Sequence, residues 1–121
     1  MGIEHRRTRR FHDFVRIKVD KLNKLPGFLE NISEGGCRVH FSNNFPVDMN
    51  EEYTLTILPA PHTGFSDFSL TVKPEWVRKN ANSVDIGFSV LHSPGFRQYI
   101  KYVHAIAACE IEEEETQEIL Y

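Results

Sequence analysis

The chain has 121 residues, 40% of them hydrophobic and 26% charged, with a formal net charge of −3. That is the make-up of one soluble globular domain with a single ordinary core. No apolar run approaches the roughly 20 residues that a bilayer-spanning helix needs, which excludes a helical membrane protein.

Residues 1–13 are polar and carry Arg6, Arg7, Arg9 and Arg10, a basic arm expected to be flexible without a ligand. Val15, Ile17 and Val19 then fall on one face of a half-buried strand. Lys21 to Gly27, with Asn23, Pro26 and Gly27, reads as a turn. Phe28 to Ile32 is a second strand, followed by the turn Ser33-Glu34-Gly35-Gly36, whose glycines are available for positive φ. Cys37, Val39 and Phe41 alternate with Arg38, His40 and Ser42 in a third strand. Ser42 to Glu52 is a loop, and Tyr53, Leu55 and Ile57 alternate with threonines in a fourth strand. After a break at Pro59 to Gly64, Phe65 to Val72 is the fifth strand. Trp76 to Arg78 continues or kinks it beyond Pro74, a position that suits only a sheet edge or a bulge. Lys79 to Ser83 turns the chain into a sixth strand with Val84, Ile86, Phe88 and Val90 on one face.

The period then changes. Ser93 is placed to cap a helix with Pro94 at its first position. Phe96, Ile100, Val103 and Ala107 form its apolar stripe, which needs the open end or edge of a barrel as partner. Tyr99 and Tyr102 lie off that stripe and are candidate contacts for another protein. Glu110 to Glu118 extends the helix or frays from it, and fraying is favoured because acids oppose the macrodipole at a C-terminus. The expected fold is mainly all-β: a six-stranded antiparallel β-barrel with a C-terminal α-helix. The expected organisation is an arm over 1–13, barrel and helix over 14–109, and an acidic tail over 110–121.

Charge is segregated between the ends: residues 1–10 hold four Arg against one Glu, and residues 110–118 hold six Glu and no base. The basic end attracts polyanions, while the acidic end repels them and argues against a general DNA or RNA binder. With no apolar segment behind the basic start, no secretory signal is read and the expected location is the cytoplasm. Cys37 and Cys109 read as free thiols, and no Cys or His spacing suggests a metal. No serine sits in a nucleophile elbow and no phosphate-binding glycine loop precedes a Lys-Ser/Thr pair, so a non-enzyme is expected.

Two patches carry the functional signal: the arginines of the arm and the run Asn31-Ile32-Ser33-Glu34-Gly35-Gly36. A guanidinium forks onto phosphate or guanine O6/N7 and stacks on a flat ring, so together they read as a clamp for an anionic, planar ligand. Asn31 and Ser33 also read as plain turn formers, Trp76 as core or barrel rim, and Arg38 and Arg78 as surface groups within reach of the site. In these residues the chain resembles the PilZ domain family, whose pattern is RxxxR followed by [DN]xSxxG. Arg6 and Arg10 supply the first motif; starting it at Arg9 would put Asp13 at its end and break it. Asn31, Ser33 and Gly36 supply the second, and Trp76-Val77 and Ile86-Gly87-Phe88 resemble later strands of the family, so the likeness runs from Glu4 to Ala107.

The resemblance implies a cyclic di-GMP receptor. Arg6, Arg7, Arg9 and Arg10 would close over the ligand, Asn31 would bond a guanine edge, and Ser33 would add a hydroxyl. Gly35 and Gly36 would let the backbone come close. It implies no cofactor beyond that ligand, an unidentified protein partner, and a monomer or weak dimer. Output would come from ordering the arm; the alternative is an adaptor of the same fold that binds no nucleotide and acts by protein contacts.

Overall fold

The computed structural model describes residues 15–119, and for His62 and residues 109–119 the backbone alone. The basic arm, with Arg6, Arg7, Arg9 and Arg10, lies outside the described residues. The strands are β1 (Arg16–Val19), β2 (Asn23–Ile32), β3 (Gly36–Phe41), β4 (Tyr53–Leu58), β5 (Phe68–Lys79) and β6 (Val84–Val90), followed by one long helix, α1 (Phe96–Ile119). They close into an antiparallel barrel in the order β1-β2-β3-β6-β5-β4, the six-stranded barrel with a C-terminal helix that the alternation predicts. Closure leaves no sheet edge. Side chains alternate across each strand, so one apolar set points inward: Ile17, Val39, Phe41, Leu55, Ile57, Val72, Val84 and Ile86 are all fully buried. Each such side chain stabilises the fold by roughly 1.5–3 kcal/mol. In the long loop before β4, Phe45 adds its ring edge-on to Phe41 at 5.0 Å.

Of two prolines within strands, Pro26 departs from expectation and Pro74 takes the bulge that was one of its two expected settings. The turn expected over Lys21–Gly27 is confined to residues 20–22, where Leu22 N donates to Val19 O, and β2 already starts at Asn23. Pairing passes from Ile17↔Gly27 to Val19↔Asn23, four residues on β2 against two on β1. Pro26 sits in that surplus and before the β3 pairing begins at Phe28, where the ladder asks no N–H of it. β5 begins at Phe68, not Phe65, and runs through Pro74 unbroken. Pro74 pairs with Phe88 and Trp76 with Gly87, so Glu75 is the extra residue of a bulge. With β4 on one side and β6 on the other, β5 is no edge strand.

The helix begins at Phe96, because the chain first makes a left-handed step at Gly95 with φ 99°. A Cβ there would stand 2.1 Å from Ser69 O, so only glycine fits. Pro94 is therefore not the first helical residue. Ser93 is tied to the barrel instead of capping: its Oγ accepts from Thr71 N and donates to Leu91 O. The buried stripe is rotated from the expected one. Tyr99 and Tyr102 are both 0% exposed, with Val103 and Ile106 buried beside them, while Phe96 and Ile100 are half-buried and Ala107 is exposed. Tyr99 and Tyr102 are thus core residues rather than a surface for a partner. Phe65 and Phe68 meet the Tyr102 ring edge-on at 5.2 and 5.8 Å, near the start of β5. Tyr99 reaches the β2–β3 turn, which belongs to the same end of the barrel, so α1 closes that end. The helix continues through the glutamates to Ile119, in place of the expected fraying. Glutamate is a good helix former, and its opposition to the macrodipole is worth only about 0.3–1 kcal/mol. No helix among the described residues is long and apolar enough to cross a membrane.

Cys37 points into the core, and burial pushes its thiol up to about 12. Burial raises the phenols of Tyr99 and Tyr102 as well. A raised folded-state pKa gives stability that is complete below the unfolded pKa and is lost as pH climbs toward the folded one. The barrel is therefore expected to weaken progressively from about pH 8.5 to about pH 12. Urea melts across that range should show a shallower alkaline loss in Cys37→Val than in wild type; parallel curves would show that Cys37 is not the cause.

Candidate functional site

The turn that joins β2 to β3 is shaped by a second bulge. Leu29 pairs with Val39 and Asn31 with Arg38, leaving Glu30 as the extra residue. Strict alternation would turn Asn31 inward after Leu29; the bulge leaves both Glu30 and Asn31 exposed and returns Ile32 toward the core. Asn31 Oδ1 accepts from Ile32 N at 2.8 Å, Ser33 N donates to Gly36 O at 2.8 Å, and Ser33 Oγ lies 3.4 Å from the same carbonyl. The turn-forming role of Asn31 and Ser33 is therefore realised, and the Asn31 NH₂ remains as a donor on an exposed side chain.

The glycines act through space rather than through φ. Among the described residues only Gly64 and Gly95 have positive φ, so Gly35 and Gly36 do not use that freedom. Gly36 pairs with Ser89, and a Cβ on it would stand 2.1 Å from Phe88 O. What its missing side chain permits is the close approach of β6. Gly35 has open space where a Cβ would be, and its carbonyl accepts from Val90 N.

The turn is also held from α1. The Tyr99 hydroxyl lies 2.7 Å from Ser33 O and 2.9 Å from Gly36 O, a single donor shared by two carbonyls. Burial, with a smaller contribution from Cys37, raises its pKa, so the phenol stays protonated and keeps donating. On the surface, His104 Nε2 lies 2.6 Å from Glu34 Oε2, a second tie from helix to turn.

A cleft of about 420 Å³ opens on the barrel's outer face beside this turn. Asn31, Ser33, Gly35 and Gly36 all line it, together with Arg38, Glu75, Trp76, Gly87 and Ser89. Trp76 is neither core nor shielded rim: it is 40% exposed and lies across Gly87, where a Cβ would meet Trp76 Nε1 at 2.2 Å. The Arg78 guanidinium sits 5.9 Å from the Trp76 ring centroid, in cation–π range. Both Glu75 and Trp76 point outward because of the β5 bulge. That Pro-Glu-Trp run in a strand is the signal that would have placed them here, since a proline inside a paired strand marks a bulge. Further along the same face, His40 Nδ1 lies 2.6 Å from Asp85 Oδ1 and 3.9 Å from Glu30 Oε2. Arg38 Nε lies 3.2 Å from Glu30, an ion pair without hydrogen-bond alignment, and Arg78 Nε lies 4.0 Å from Asp85. These five groups form a ladder of alternating basic and acidic side chains across neighbouring strands, which no spacing along one strand could show.

A closed barrel with a polar and aromatic cleft on its outer wall, and a helix keyed to the turn beside that cleft, defines a small binding domain. The cleft is concave and mixed in polarity, as ligand sites are. The PilZ domain family model matches residues 4–105, and the chain belongs to that family of receptors and adaptors. No curated protein matches the chain. The match includes Arg6, Arg7, Arg9 and Arg10, which fall outside the described residues.

Proposed function

We propose that this protein is a cytoplasmic bacterial receptor for cyclic di-GMP and that it acts on a partner protein. The observation that carries the reading is the convergence of Asn31, Ser33, Gly35 and Gly36 on one cleft that also holds Arg38 and Trp76. The ligand is a dianion with two flat guanines. The cleft, about 420 Å³, lies within the size range of small-molecule sites. Trp76 offers a face for stacking, Asn31 an amide for a base edge, and Ser33 a hydroxyl for base or phosphate. Arg6 and Arg10 would fork onto phosphate or guanine O6/N7, with Arg7 and Arg9 adding charge. Ordering of the arm over the cleft is the signal, a population shift that the ligand biases by binding one state better. Arg10→Ala and Arg6→Ala are expected to abolish or strongly weaken cyclic di-GMP binding in calorimetry while leaving the thermal melt unchanged. No heat with wild type at tens of micromolar, about −6 to −7 kcal/mol of binding free energy, would overturn the proposal.

A second reading, an adaptor that binds no nucleotide, is favoured by Leu25 and Phe28, which are 59% and 44% exposed on β2. It predicts that the arginine changes are silent and that Phe28→Ser disrupts partner binding.

A further inference from the structure

The cleft contains a feature that works against an anionic ligand. Among the described residues whose side chains line it, Glu75 alone is a carboxylate. The bulge after Pro74 makes it the unpaired extra residue and leaves it exposed beside Trp76. It is also held in place: Ser89 Oγ, from β6, donates to Glu75 Oε2 at 2.7 Å. A carboxylate beside two phosphodiesters weakens binding by repulsion unless it meets hydrogen-bond donors of the same ligand. An ionised carboxylate only accepts, through two oxygens with about four lone-pair sites, so the bond from Ser89 leaves room for more.

Guanine is the base that supplies such donors. Its Watson–Crick edge carries N1–H and the exocyclic N2 amine side by side, a pair that matches the two oxygens of a carboxylate. Adenine presents a bare N1 acceptor at the corresponding place, which a carboxylate repels. Asn31, Ser33 and Ser89 both donate and accept, so none of them makes this distinction. An arginine forked onto O6/N7 favours guanine at the Hoogsteen edge and leaves the Watson–Crick edge to be read separately. Resting on the cyclic di-GMP reading, we propose that Glu75 selects guanine over adenine by accepting from N1–H and N2–H of a base stacked on Trp76, with Ser89 positioning its carboxylate.

The test is calorimetric titration of wild type, Glu75→Gln and Ser89→Ala with cyclic di-GMP and with cyclic di-AMP. Wild type is expected to prefer the guanine dinucleotide. Glu75→Gln turns one of the two carboxylate oxygens into an amide NH₂ that faces one of guanine's own donors and removes the charge, so cyclic di-GMP should weaken roughly ten- to a hundredfold. Cyclic di-AMP should hold or improve, and the preference should collapse. Ser89→Ala should lower the preference by a smaller factor with an unchanged melt. Equal tightening of both dinucleotides by Glu75→Gln would mean that Glu75 only repels phosphate, and would overturn the inference. So would an unchanged preference. Either result leaves the receptor reading standing, whereas a wild type that binds neither dinucleotide removes both. Glu75 is an exposed side chain, so the variant's fold is not at stake, and a thermal melt equal to wild type confirms it.

Discussion

Gly36→Ala is expected to destabilise the barrel by about 2–4 kcal/mol and to abolish ligand binding, whereas Gly35→Ala, one residue earlier, should stay within about 0.5 kcal/mol of wild type. The contrast follows from what a methyl group would meet. At Gly36 it would lie 2.1 Å from Phe88 O and 3.2 Å from the carbonyl carbon, both backbone atoms of a paired strand. Backbone within a ladder cannot swing aside as a side-chain tip can. β3 and β6 would have to part at Gly36↔Ser89, the first rung of their pairing. The same residue's carbonyl closes the turn with Ser33 and accepts from Tyr99, so the strain would spread to the floor of the cleft. At Gly35 nothing lies within 4 Å of the added carbon. Urea melts of the two variants, followed by titration with cyclic di-GMP, check both halves. A stable, binding-competent Gly36→Ala would contradict the described contact between β3 and β6.

Removing the hydroxyl of Tyr99 should have the second largest effect. Tyr99→Phe keeps the ring that fills the end of the barrel and deletes only the donor between Ser33 O and Gly36 O. Gly36 O retains its bond from Ser33 N, so Ser33 O is the group left wanting. Ser33 is exposed, so the loss is that of one ordinary hydrogen bond, about 0.5–1.5 kcal/mol. Tyr99→Ala adds a cavity, since the side chain is 0% exposed, and should cost about 3–5 kcal/mol. The informative variant is the phenylalanine. At a temperature where it is fully folded, its affinity for cyclic di-GMP should fall, because the turn carrying Asn31 and Ser33 has lost its tie to α1. Unaltered affinity would mean that the hydroxyl stabilises the fold without shaping the cleft. The His104–Glu34 contact is a weaker tie, because both side chains are 63% exposed and surface pairs contribute little.

Much of this molecule is written locally. Val15, Ile17 and Val19, then Cys37, Val39 and Phe41, then Tyr53, Leu55 and Ile57, alternate with polar neighbours, and every one of them is buried. A side-chain period of two requires nothing beyond the strand itself, so the inward faces and the strand count could be read in order. The binding turn was legible for the same reason, since Asn31, Ser33 and Gly36 follow one another within six residues. The true inward face of α1 and the wall of the cleft were not, because each depends on residues far apart in the chain. Tyr99 faces inward because carbonyls 66 and 63 positions away accept its proton. Glu75 and Trp76 both face outward because β6 offers one residue where β5 has two. Gly36 is needed because Phe88 arrives against it, not because the turn demands positive φ. Alternation along a strand thus settled which residues form the core, while pairing between strands settled which of the remaining ones share a site.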